Sequence, residues 1–146
     1  MTTGLWDHCS AVVKCELVPL WHIDSAFEQV CEGLQKSCDR SGGDLDAAYL
    51  HRECRSAASM LVVASNDTGI IGAVVLRFEN WSGKSVLRTL ALWCNGSGAW
   101  EALNTKTHEI GRQFGAKSLI AEGRKGWERR YPNAKLLRQL YEIGLD

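Results

Sequence analysis

Net charge is the first thing missing from this 146-residue chain: seventeen lysines and arginines face seventeen aspartates and glutamates. Without a field of one sign, the chain has no overall electrostatic basis for gripping nucleic acid or an anionic membrane. No apolar run approaches the roughly 18 residues that a membrane span needs. The amino terminus also lacks the basic-then-apolar order of a secretion signal, so a cytoplasmic protein with no membrane partner is expected. Six cysteines (Cys9, Cys15, Cys31, Cys38, Cys54 and Cys94) form no C-x-x-C pair and no zinc-like spacing with histidine. Free, mostly buried thiols are the expectation, with no metal. Internal repeats and low-complexity linkers are absent too, and 45% apolar content suffices for one core, so residues 1–146 are expected to form a single domain.

What the chain does have is a strand–loop–helix unit between Val86 and Phe114. Val86 to Cys94 is a β-favouring run, Asn95-Gly96-Ser97-Gly98 is a short loop, and a helix is expected from Gly98 to Phe114. Trp100, Leu103, Thr107, Ile110 and Phe114 recur at helical spacing and give that helix one apolar face. Such a unit aims free backbone N–H groups and the positive end of a helix dipole at an anion, and glycine lets a phosphate approach. The same two glycines also fit a tight turn that needs positive φ.

The remaining pattern places this unit in a mixed sheet. Ala11 to Val18 alternates as a strand and is ended by Pro19. Asp24 is the expected cap of a helix with Phe27, Val30, Cys31, Leu34 and Cys38 on its buried stripe. A second helix should open at Asp44 and run to about Arg55, with Leu45, Ala48 and Tyr49 inward and Arg52, Glu53 and Arg55 towards water. Met60–Ala64 and Ile70–Phe78 flank the turn formers Asn66, Asp67 and Gly69, which reads as a β-hairpin. The second of these strands is apolar almost throughout, as a centrally buried strand is. Gly115 should cap the later helix, Lys117–Glu122 should form another strand, and Gly123–Tyr131 a short helix before Pro132. Residues 134–143 fit both helical and alternating patterns, and a strand is the expectation. Charge is uneven along this order. Residues 1–58 hold five basic and nine acidic side chains, residues 99–146 nine basic and six acidic, with Arg124, Lys125, Arg129 and Arg130 clustered.

This order of elements, with a long hairpin, a strand–glycine loop–helix unit and then a strand and short helix, resembles the GNAT superfamily of N-acyltransferases. More narrowly, three features are similar to small phage-borne GNAT-like proteins: the hairpin strand from Ile70 to Leu76, Trp100 at a helix start, and the segment Glu122–Arg130. Gly123, Arg124, Gly126 and Trp127 are the most specific part of that likeness, which extends over residues 12–143. The resemblance implies an α/β (α+β) fold, a mixed and mostly antiparallel central sheet flanked by helices. It implies acetyl-CoA, or another acyl-CoA, as cofactor and an amine as acceptor. The pyrophosphate would sit on the amides of Asn95, Gly96, Ser97, Gly98 and Ala99, and the thioester carbonyl would meet the backbone of Leu92 or Trp93. Cys94 lies between those two groups, Arg124 would contact a 3′-phosphate or an acidic substrate, and Trp127 would wall the pocket or anchor its helix.

One position departs from the superfamily pattern: the Gln or Arg usual three residues before the first loop glycine is Trp93 here. Amide acylation needs a base for the attacking amine and an acid for the departing thiolate. Glu122 and Glu79, both at strand ends, are the candidate bases, and Tyr131 is the candidate acid. Two functions follow. One is an acyl-CoA-dependent N-acyltransferase, working in the host cytoplasm if phage-encoded. The other is a scaffold that has lost the chemistry, a phage structural or assembly protein whose partners are virion components. A nucleic-acid partner is disfavoured, because the basic cluster lacks supporting net charge.

Overall fold

The computed structural model describes residues 12–122 and 127–145. Its elements are β1 (Lys14–Leu17), a 3-10 turn (Leu20–His22), α1 (Ile23–Arg40), α2 (Ala47–Arg55), β2 (Met60–Asn66), β3 (Gly69–Trp81), β4 (Lys84–Cys94), α3 (Ala99–Gln113), β5 (Ser118–Ala121) and α4 (Trp127–Arg130). The five strands form one sheet in chain order. All neighbours are antiparallel except β4 and β5, which the α3 crossover makes parallel. The sheet is therefore the mixed, mostly antiparallel one expected.

Local chemistry sets the two hairpins. Between β2 and β3, Thr68 donates its N–H to Asn66 Oδ1 at 2.8 Å, an Asx-type turn. Between β3 and β4, Ser82 and Gly83 both have positive φ (55° and 85°), and Gly83 N–H is held by Asn80 Oδ1 at 2.7 Å. Two positive-φ residues match the twist of a tight hairpin. Because strand side chains alternate, β3 serves two cores at once. Ala73 and Val75 face α1 and α2, whose Phe27, Val30, Leu34, Leu50 and Cys54 are buried against them. Val74 and Leu76 face α3, through Ala99, Leu103 and Ile110.

Several expectations change in detail. Asp24 does not cap α1; it lies inside the first turn and pairs with His51 (2.7 Å) and Arg55 (3.3 Å). The cap of α2 is Asp46, which accepts from Tyr49 N–H at 2.7 Å, and the helix starts after it rather than at Asp44. Cys31 and Ala48 are exposed, whereas Glu53 turns inward to meet Arg77 at 3.2 Å. Phe114 is 60% exposed and touches only the edge of Phe78 among aromatic rings. Residues 134–143 form neither strand nor helix, and Leu136, Leu140 and Ile143 stay more than two-thirds exposed. Ala134, Leu137 and Arg138 line a cleft against α3 and β5, but the apolar residues between and beyond them face outward, so neither periodicity is realised.

Two features of β4 position the site. Leu90 is an extra residue, since Val75 pairs with Ala91 while Leu76 pairs with Thr89. This bulge bends the strand. The parallel pairing with β5 also ends there, at Thr89 and Ala121. Among the described residues, the β5-side edge of β4 from Leu90 to Cys94 is therefore without a strand partner. At Gly72 the α3 start lies so close that a Cβ would stand 3.2 Å from Ala99 Cβ and 3.0 Å from Trp93 O.

Candidate active site

A cleft of about 810 Å³ lies between α3, β5 and the segment 131–138, and reaches β4 at Thr89 and Leu92; Trp100, Asn104, His108 and Tyr131 also line it. Leu92 on β4 and Trp100 in the first turn of α3 bring it close to the loop that joins them. Asn95 N–H bonds to Ile71 O at 2.7 Å, which continues the β3–β4 ladder. Alternation along an antiparallel strand then aims the amides of Trp93 and Ala91 at β3, and those of Leu92 and Cys94 at the open edge. Leu92 agrees with this, because its N–H is held by a side chain, Ser37 Oγ on α1, at 3.3 Å. Of the two residues, Leu92 directs its N–H at the open edge, where Ser37 Oγ holds it, and Trp93 directs its N–H into the sheet.

The loop amides are not all alike either. Asn95 is engaged with Ile71, and Ala99 N–H bonds to Gly96 O at 3.3 Å. Among the described residues, the amides of Gly96, Ser97, Gly98, Trp100 and Glu101 carry no hydrogen bond. Of the Asn95–Ala99 amides that the resemblance implies, Gly96, Ser97 and Gly98 are thus unengaged, while Asn95 and Ala99 bond within the fold. Both glycines have structural duties as well. Gly98 is the N-cap of α3 at φ 83°, and a Cβ there would meet Val13 at 3.2 Å. A Cβ on Gly96 would meet Ile71 at 2.9 Å. A side chain at Gly98 would press on Val13 of the fold itself.

Trp93 has a packing role. The Cβ of a residue at Gly33 would lie 2.3 Å from its ring, so the indole lies flush on the bare backbone of α1. That contact joins α1 to β4 one turn before Ser37. Cys94 is exposed at the strand end, and its thiol is pushed up by burial of part of the group, an effect Arg130 partly counters.

Arg130 was only one of four clustered basic residues in the sequence, yet the structure brings it to the loop. Its guanidinium stacks over Trp100, 4.3 Å from the ring centroid. Tyr131 follows it, donating to Asn104 Oδ1 and lying about 6 Å from the rings of Trp100 and His108. Burial pushes the Tyr131 phenol up, with Arg130 opposing, so the hydroxyl is protonated at neutral pH. Arg124 and the side chain of Trp127 lie outside the described residues.

The two carboxylates belong to a different arrangement, a ladder of charge across three strands. Arg77 and Arg88 are directly paired positions, and Glu79 lies between them, at 2.6 Å from Arg77 and 3.4 Å from Arg88. Arg88 also reaches Glu122 just past β5, and Arg77 reaches Glu53 and Tyr49. Burial raises the Glu79 carboxyl, but hydrogen bonds from Trp81 and Arg77 and the charges of both arginines outweigh it and hold the group below its ordinary value. A carboxylate so held is a poor proton acceptor, which argues against Glu79 as the base. Among the described residues Glu122 pairs with Arg88 alone, and its side chain is 43% exposed. Ser37 was missed in the sequence. The available signal was a polar residue three after Leu34 and four after Gly33, on a stripe otherwise apolar.

The fold has counterparts among solved structures. The fold is that of the GNAT N-acetyltransferases. An aminoglycoside acetyltransferase from an uncultured soil metagenomic sample, in complex with sisomicin, superposes with a TM-score of 0.70 at 16% identity, over 96% of this chain and 99% of that one. A ribosomal-protein-alanine N-acetyltransferase from Brucella melitensis biovar Abortus gives 0.66 at 15% identity, over 92% and 100%. A GNAT family acetyltransferase from Staphylococcus aureus gives 0.62 at 14%, over 91% and 98%. No protein-family profile and no curated sequence matches the chain. At these identities the likeness is one of GNAT fold. Among the described residues no helix is long and apolar enough to cross a membrane.

Proposed function

We propose that the chain is an acyl-CoA-dependent N-acyltransferase acting on an amine. The observation that carries this is the parting of parallel strands β4 and β5 beside an α3 start with five unengaged amides. A thioester needs both features, an edge amide for its carbonyl and a row of N–H donors for its pyrophosphate. The residues fit such a group: Leu92 N–H faces the gap, Gly96 to Glu101 supply donors, and Arg130 adds a cation near the loop. When bound, acyl-CoA supplies an activated acyl carbonyl. In this reading Glu122, just past β5 and paired with Arg88, is the carboxylate that takes a proton from the amine. Tyr131 keeps a proton on its phenol for a departing thiolate.

The test is calorimetry with acetyl-CoA. Wild type is expected to bind with a dissociation constant of about 1 mM or tighter, roughly −4 kcal/mol. Arg130→Ala should weaken binding, while Asn95→Ala should not, because the Asn95 amide is already in the sheet. No heat and no thermal shift at millimolar ligand would refute the proposal. A second reading, a GNAT-fold scaffold or assembly protein without cofactor, is favoured by one observation. Gly96, Gly98 and Trp93 each have a packing reason that requires no ligand.

A further inference from the structure

Ser37 is a polar side chain on the sheet-facing stripe of α1, between Leu34 and Cys38, which are both buried. Its Oγ accepts the Leu92 N–H at 3.3 Å. The proton of that hydroxyl is given to no acceptor among the described residues. A helical serine ordinarily returns its proton to the carbonyl four residues back. Thr107 does so towards Leu103 at 2.8 Å, and Ser41 does so towards Ser37 itself at 3.1 Å. Ser37 therefore presents an uncommitted donor beside the strand-edge amide that it holds where β5 pairing has ended.

We propose that Ser37 is a second hydrogen-bond donor to the acyl carbonyl, acting together with Leu92 N–H. The inference rests on the acyl-CoA reading above. An oxygen accepting from Leu92 N–H at the usual distance of about 2.9 Å also lies within reach of a hydroxyl 3.3 Å from that nitrogen. The Leu92 N–H exchanges its long contact with Oγ for the carbonyl oxygen, and Ser37 then donates to the same oxygen. Two donors polarise a carbonyl more than one, and the effect grows where water is excluded. The contact of Trp93 with Gly33 sets the spacing, since it fixes α1 against β4 next to both groups. No bond is made or broken by Ser37, and its proton stays on Oγ.

The experiment is isotope-edited infrared spectroscopy of acetyl-CoA labelled with carbon-13 at the thioester carbonyl, bound to wild type, Ser37→Ala and Ser37→Thr. In wild type the carbonyl band should lie below that of free acetyl-CoA. In Ser37→Ala it should move back towards the free position, and in Ser37→Thr, which keeps a hydroxyl, it should stay near wild type. Acetyl-CoA affinity, measured by calorimetry, should change by less than about threefold, because the pyrophosphate contacts are untouched. Thermal melts of each variant show that it is folded. A band that is unchanged in Ser37→Ala, with acetyl-CoA bound, overturns the proposal and leaves the cofactor reading standing. Absence of acetyl-CoA binding by wild type overturns both, and calorimetry alone reveals it.

Discussion

Replacing Gly33 by alanine puts the association of α1 with β4 to a quantitative test. The added methyl would lie 2.3 Å from Trp93 Cδ2, 2.4 Å from Cε2 and 2.5 Å from Cγ. Relief needs a displacement of about 1 Å, to reach ordinary carbon–carbon contact. The methyl strikes the stem of the indole as well as its rim, so the ring cannot swing aside about its own bonds. Overpacking of this kind costs about 1–3 kcal/mol. Alanine returns about 1 kcal/mol through helix propensity. With so deep an overlap the upper part of the range applies, which leaves a net loss of about 1–2 kcal/mol. For a chain of this size that lowers the melting temperature by roughly 3–8 °C. The assay is a thermal melt of four proteins: wild type, Gly33→Ala, Trp93→Leu and the double variant. In the Trp93→Leu background the methyl has room, so Gly33→Ala should be stabilising by about 0.5–1 kcal/mol. The opposite signs give a coupling of at least about 1.5 kcal/mol, within the range for residues in contact. A Gly33→Ala protein that melts above wild type would refute the packing argument, and with it the spacing assigned to Ser37 and Leu92.

Other perturbations test other parts. Gly98→Ala should cost about 1–3 kcal/mol from its left-handed backbone alone, with the Val13 contact adding to it, whereas Ser97→Ala should change stability by less than about 0.5 kcal/mol; equal melting of the two variants would contradict this. Glu79→Gln should lose about 1–3 kcal/mol at neutral pH by removing charge from between Arg77 and Arg88. The Glu79 carboxyl is held below its reference value of 4.5, so its stabilisation is present above that pH and disappears as pH falls through the folded-state value. The gap between wild type and variant should accordingly close under acid titration of the melting curves, and a gap that is constant from neutral to acid pH would count against the ion ladder. Native alkylation followed by mass spectrometry should label the exposed Cys31 early and Cys54 last, because Cys54 is fully buried and its thiol is pushed up to about 12, first by burial and then by Glu53. Denatured, unreduced protein should show all six thiols, and a native disulfide would break the expectation of a reducing compartment.

Sequence pattern alone was enough for whatever is local and periodic. The apolar run from Ile70 to Leu76 marked the central strand because burial on both faces leaves no position for a polar side chain. Asn66, Asp67 and Gly69 marked the first hairpin, and the helical spacing of Leu103, Thr107 and Ile110 marked the face of α3. The order of these elements, read with the glycine loop, sufficed for the sheet topology and for the likeness to the GNAT fold.

Tertiary structure decided everything that depends on which group meets which. Strand period cannot reveal that Leu90 is an extra residue or that β5 stops opposite Thr89, because both are properties of pairing across strands. Whether an amide is open to a ligand depends on where its neighbours bond. Asn95 and Ala99 looked equivalent to Gly96 until Ile71 O and Gly96 O were found on them. Glu79 and Glu122 are both carboxylates at strand ends, yet the two arginines that hold Glu79 come from β3 and β4, so only the fold separates their roles. Residues 134–143 show the same rule from the other side. Periodicity states what a segment would bury, and only a facing surface decides whether it does.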